Sequence, residues 1–164
     1  MPAPFAMTAA SVARDGGYGD WSVNLVVVAV ALVVVAACVI LHYEGLNLLS
    51  RRFATAGGRR RRRVLSGIFA VLVLHVAEIW LFGVAFYLLL VEPGYGTVQG
   101  VAIASLLDHI YFSAITYTTV GYGDVFPVGP IRFLAGTEAL TGFVMITWSA
   151  SFTYLEMERF WGRR

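Results

Sequence analysis

The sequence predicts an all-α membrane protein, with three spanning helices, a short re-entrant helix and an extended segment before the last span. Three observations predict it. Hydrophobic residues make up 59% of the 164-residue chain and charged residues only 13%, where a soluble domain carries roughly a quarter charged; the mean hydropathy is +0.75. Apolar runs long enough to cross a bilayer recur along the chain. All twelve basic residues are Arg, and seven of them crowd into residues 51–63, between two such runs. The positive-inside rule makes that stretch a cytoplasmic loop.

Residues 1–20 are small and nearly uncharged, and read as a flexible tail. The first span is WSVNLVVVAVALVVVAACVIL, residues 21–41, closed at an interface by His42, Tyr43 and Glu44, so that the helix covers 21–44. Its Val content would suit a strand in water, but in lipid a lone segment must satisfy its own backbone and forms a helix. Cys38 is the single cysteine, which excludes an intrachain disulfide and reads as a small apolar side chain. The Arg-rich loop covers 45–63 and the second span 64–91. Pro130 is placed to start the third helix, residues 130–158, followed by a basic tail at 159–164. Both basic clusters agree on one orientation, N-terminus outside and C-terminus inside. No span carries a regular Arg series, so a voltage sensor is not expected, nor is a ligand-sensing domain after Arg164.

The 92–129 connection divides in two. EPGYGTVQG is polar and turn-rich; SLLDHIYFSAITYTT is too apolar for a surface loop and too short to span. Ser105 and Asp108 form a capping-box-like start, predicting a helix over 105–118. A short apolar helix between spans suits a re-entrant segment buried in protein or facing a water-filled cavity.

Gly-Tyr-Gly occurs three times, at 17–19, 94–96 and 121–123. The first lies in the tail, and the second follows Pro93 at a helix end, where Gly makes turns. Only the third follows a re-entrant helix and precedes a span. There an extended backbone can turn its carbonyls one way and replace the water of a dehydrated cation. Gly121 and Gly123 tolerate that geometry, Thr119 adds a hydroxyl, and the Val120 and Tyr122 side chains are expected to pack outward and hold the width. The C-terminal end of the short helix adds a partial negative charge.

The segment Thr119-Val120-Gly121-Tyr122-Gly123-Asp124, flanked in this way, resembles the selectivity filter of two-helix pore-loop potassium channels, and the resemblance extends over about residues 64–155. It implies a homotetramer with fourfold symmetry and K+ as permeant ion, bound by carbonyls of Thr119, Val120, Gly121 and Tyr122, without a cofactor. Asp124 would sit at the outer mouth and anchor the filter to its helix. The family often has polar support four residues before the filter threonine; here that position is Ile115, which leaves Tyr111, Tyr117 or Arg132 to hold Asp124. The first helix lies outside the two-helix pattern. Gly142 matches a flexible glycine of the family's inner helix; the competing role is close packing against a neighbouring helix. Gly142, Ile146, Ser149 and Thr153 share helical spacing and are candidates to line the cavity.

His75, Glu78 and Glu138 are ionisable groups within spans, where such groups are costly and often functional. A polar contact of Glu138 with the His75–Glu78 pair is expected, either pH-responsive through His75 or permanently structural. Arg51, Arg52, Arg59, Arg60, Arg61, Arg62 and Arg63 suit anionic lipid headgroups better than nucleic acid. No nucleophile–base set, metal spacing or nucleotide loop points to an enzyme. The rival readings are a weakly selective cation pore, an uptake-transporter subunit and a non-conducting adaptor. The Arg- and Ala-rich composition fits the cytoplasmic membrane of a high-GC bacterium.

Overall fold

A computed structural model describes residues 20–55 and 60–161. The tail before Asp20, with its Gly-Tyr-Gly copy, and Arg59, Arg163 and Arg164 lie outside the described residues. Six elements follow in order: α1 (Trp21–Thr55), α2 (Arg60–Val91), β1 (Thr97–Gly100), α3 (Leu106–Tyr117), β2 (Val125–Val128) and α4 (Ile131–Trp161).

The expected 45–63 loop is largely helical. α1 does not stop at Glu44 but continues to Thr55, carrying Arg51 and Arg52, and Arg60 to Arg63 form the first turn of α2. The reason lies in packing. Leu46, Leu49 and Phe53 recur at helical spacing and are buried against Val71, with Leu74 and Phe152 beside them. The helix is therefore held by side-chain contacts through its last turns to Thr55.

By length and composition α1 and α2 qualify as membrane spans, over Trp21–Phe53 and Val64–Val91. The 31-residue α4 is long enough at about 1.5 Å per residue but less apolar, because it carries Glu138 and several hydroxyls. Many of those hydroxyls are satisfied within the helix: Thr137, Thr141 and Thr147 donate to the carbonyls of Phe133, Thr137 and Phe143 at 2.8, 2.8 and 3.0 Å. Such back-bonding lets a polar side chain sit in an apolar setting.

α3 packs between α2 and α4, and α1 packs on both of the long helices. The shared core holds Phe82 and Phe86 of α2, Phe112 and Ile115 of α3, Leu134 of α4, and Val27, Ala31 and Cys38 of α1. Phe86 and Phe112 meet edge to face at 4.9 Å. α3 comes close because position 83 is glycine: a Cβ there would lie 2.9 Å from the Ile110 Cα.

A two-stranded antiparallel sheet closes the excursion that α3 makes, and it was not expected from the sequence. β1 pairs antiparallel with β2, from Thr97 opposite Val128 to Gly100 opposite Val125, and the Val101 amide donates to the Asp124 carbonyl at 3.0 Å. Gly100 has φ +117°, and a Cβ there would fall 1.9 Å from the Asp124 carbonyl oxygen. The Gly-Tyr-Gly copy at 94–96 serves the same closure: both glycines have positive φ, and the Tyr95 carbonyl accepts from the Ile131 amide at 2.9 Å.

The start of α3 carries the capping box in full. The Ser105 hydroxyl accepts from the Asp108 amide, and the Asp108 carboxylate accepts from the Ser105 amide at 2.8 Å. The Ser105 and Ala104 amides hold the Asp108 carboxyl below the usual carboxylate range. Ser105→Ala is expected to cost about 1 kcal/mol, read as a lower thermal midpoint of the purified protein; an unchanged midpoint would contradict the cap's contribution.

Candidate functional site

The segment after α3 changes hand at every second residue. Thr119, Gly121 and Gly123 have φ of +58°, +50° and +82°, while Val120 and Tyr122 are not left-handed. In a regular strand successive carbonyls point to opposite sides. Inverting φ at alternate residues turns alternate peptide units over, so that their carbonyls can face one side. Glycine adopts this hand freely, whereas Thr119 carries a strain of order 1–2 kcal/mol. Two backbone bonds hold the segment to the end of α3: the Thr119 amide donates to the Thr116 carbonyl at 2.9 Å, and the Gly121 amide donates to the Ile115 carbonyl at 3.1 Å.

Val120 and Tyr122 do not pack on their own chain. Their side chains are 55% and 73% exposed in the protomer. Asp124 is held by Tyr111, whose hydroxyl donates to its Oδ2 at 2.6 Å. Of the three groups expected to reach Asp124, Tyr117 and Arg132 make no such contact among the described residues, and the Ile115 carbonyl serves the Gly121 amide.

Tyr117, the last residue of α3, turns inward to a buried polar cluster. Its hydroxyl donates to Glu78 Oε2. His75 Nδ1 lies 3.0 Å from the same carboxylate oxygen, and His42 Nδ1 lies 2.8 Å from Glu78 Oε1. His42 Nε2 is 3.3 Å from Ser149 Oγ, and its ring stands 5.0 Å from Trp148. Three helices thus meet at one carboxylate, and α4 reaches the cluster through His42. The expected interfacial position of His42 is incorrect: the residue is fully buried. It falls on the stripe Ala31, Cys38, His42, Leu46 and Leu49, which faces the rest of the protein.

Glu138 does not join this cluster. It accepts from Ser113 of α3, whose hydroxyl also lies 2.8 Å from the Ile79 carbonyl, and no partner for its Oε2 appears among the described residues. The expected Glu138 contact with His75 and Glu78 is therefore replaced by two separate contacts, each joining α3 to a different long helix.

The four positions proposed to line a cavity do not share one environment. Ser149 is buried against His42, Gly142 is buried, Thr153 is half-buried, and Ile146 is exposed. Gly142 is a packing glycine: a Cβ would sit 2.0 Å from the Tyr117 carbonyl oxygen and 2.9 Å from its ring. Gly142→Ala is expected to push α4 off the end of α3 and cost about 1–3 kcal/mol, whereas Gly136→Ala meets nothing within 4 Å and is expected to be tolerated. Equal thermal midpoints for the two variants would restore the hinge reading of Gly142.

His42, Ser113 and Ser149 were missed as partners. Their signal in the sequence was helical spacing from Cys38, Tyr117 and Met145, which acquires meaning only once the facing helices are known. Of the Arg cluster, Arg51, Arg52 and Arg62 are exposed at the ends of α1 and α2.

A family model described as an ion channel matches residues 65–157. The protein LctB of Geobacillus stearothermophilus is 43% identical over 53 residues, 32% of this chain and 40% of that protein. The protein LctB of Bacillus caldotenax is 46% identical over 43 residues, 26% of this chain and 32% of that protein. The matches therefore span less than half the length of these relatives. No solved structure is matched.

Proposed function

The chain belongs to the ion channel family whose model covers residues 65–157, and from that premise we propose that it forms a potassium-selective pore. The observation that carries the proposal is the alternating hand of residues 119–123. Carbonyls of Thr119, Val120, Gly121 and Tyr122, contributed by four copies, would form successive oxygen rings that replace the ion's hydration shell. A single copy supplies one wall only. The exposed Val120 and Tyr122 side chains give a neighbouring copy apolar surface to cover, which supports a tetramer. Asp124, tied to Tyr111, would place negative charge at the outer mouth. We place the protein in a bacterial cytoplasmic membrane, with the Arg ends of α1 and α2 against anionic lipid on the inner side.

The test is the reversal potential of the purified protein in a planar bilayer, with potassium on one side and sodium on the other. A value near the potassium equilibrium potential is expected. A clear current reversing near zero would instead identify a weakly selective cation pore. Absence of flux across a range of pH and voltage would favour the adaptor reading.

A further inference from the structure

We propose that His42, His75 and Glu78 form a binding site for a divalent transition-metal ion with borderline donor preference, such as Zn2+ or Co2+. One donor atom from each of the three residues falls within a mutual distance of 4.8 Å. The donors come from two helices, His42 from α1 and the His75–Glu78 pair from one face of α2. Two imidazoles and one carboxylate suit Zn2+, Co2+ or Ni2+. The set is too rich in nitrogen for Ca2+ or Mg2+, which take oxygen ligands, and lacks the thiolates or thioethers that select Cu(I).

Two further features fit a metal site. A ligating histidine ordinarily has its second ring nitrogen fixed by a hydrogen-bonding group; His42 Nε2 lies against the buried Ser149 hydroxyl. The Tyr117 hydroxyl already contacts Glu78 and stands where a fourth oxygen donor or an outer-shell partner would be needed. His42 and Glu78 are fully buried, and a buried carboxylate is costly without a compensating positive charge, which a divalent ion would supply. His75 is the most open of the three, with 14% of its side chain exposed, and marks the entry side.

The position gives such an ion a consequence. It would clamp the extra helix α1 to α2 beside Tyr117, two residues before Thr119. α1, which lies outside the two-helix pattern, would thereby be tied to the base of the 119–124 segment. Binding itself does not depend on the ion that the pore conducts, so the site can fail or stand separately from potassium selectivity.

The experiment uses full-length protein without a histidine tag, stripped with chelator and titrated with Zn2+ by calorimetry and with Co2+ by visible absorption. About one ion per chain is expected, with the ligand-field bands of low-coordinate Co2+ in nitrogen–oxygen surroundings. His42→Ala and His75→Ala are each expected to weaken Zn2+ binding by about tenfold or more, since even outer-shell changes cost about that much. His109→Ala is expected to leave it unchanged, because His109 is the third histidine of the chain and bonds the Ser105 carbonyl instead. Equal Zn2+ affinity in the native protein and the His42→Ala/His75→Ala double variant would overturn the site. So would the absence of Co2+ bands in the native protein, a result that needs no variant to fold.

Discussion

In Gly121→Ala, selective potassium current is expected to disappear while the protein still assembles. Nothing lies within 4 Å of the position a Cβ would take at residue 121, so the effect is not a clash within the chain. It is conformational. Gly121 has φ +50°, a hand that costs an L-residue about 1–2 kcal/mol. In a tetramer that cost recurs in four chains and would amount to roughly 4–8 kcal/mol if the ring must form as a unit. At about 1.4 kcal/mol per factor of ten, the aligned state would lose about three orders of magnitude or more in population. The relevant measurements are rubidium efflux from vesicles and the mass of the assembled protein. Normal selective flux through Gly121→Ala would sink the assignment of residues 119–123 as the filter.

Glu78→Ala is expected to be the most destabilising substitution in the cluster beneath that segment. The carboxylate receives His42, His75 and Tyr117 at once, and its removal leaves the buried His42 and Tyr117 and the part-buried His75 without their common acceptor. Leaving a buried hydrogen-bonding group without its partner costs about 1–3 kcal/mol. Glu78→Gln is expected to cost less, because it retains one acceptor oxygen, though its amide group turns donors toward donors. Thermal midpoints in detergent separate the two. The double variant His42→Ala/Glu78→Ala is expected to lose less than the sum of the single losses, as residues sharing a contact do. A Glu78→Ala effect within about 0.5 kcal/mol of native, the range of ordinary surface changes, would mean that the cluster does not hold the helices together.

The two substitutions lie on different parts of the protein, and their legibility in the sequence differed for the same reason. The unusual backbone of residues 119–123 could be read locally, because it is a matter of which residues tolerate a positive φ. Gly121 and Gly123 announce an inverted hand, and the short apolar helix before them announces a re-entrant segment. The capping box at Ser105 and Asp108 was equally local: both partners lie three residues apart, so spacing alone defines the contact.

The facing of α1 could not be read in that way. In water a helix shows which side it buries through the contrast between apolar and polar faces. In a membrane the lipid-facing side is as apolar as the packed side, and the contrast vanishes. Leu32 and Val33 are exposed while Ala31 and Val34 beside them are buried or half-buried, yet all four are apolar. His42 was the one polar mark on the packed stripe, and its position near the end of the apolar run made it resemble an interfacial residue. The run of Arg residues misled in a related way. Charge marked a boundary between spans, but the helices continue into it because Leu46, Leu49 and Phe53 find partners on α2 and α4.

By itself the sequence determined the number of long apolar runs, the short capped helix between the last two, and the backbone chemistry of 119–124. These depend on residues close together in the chain, and local sterics and hydrogen bonding are enough to specify them. The tertiary structure alone decided that β1 pairs with β2 to close the excursion, that Glu138 bonds Ser113 while Glu78 gathers His42, His75 and Tyr117, and that Gly142 makes room for the Tyr117 carbonyl. Each of these joins residues distant in sequence across helices whose apolar faces look alike, so the fit of side chains in three dimensions had to select among them.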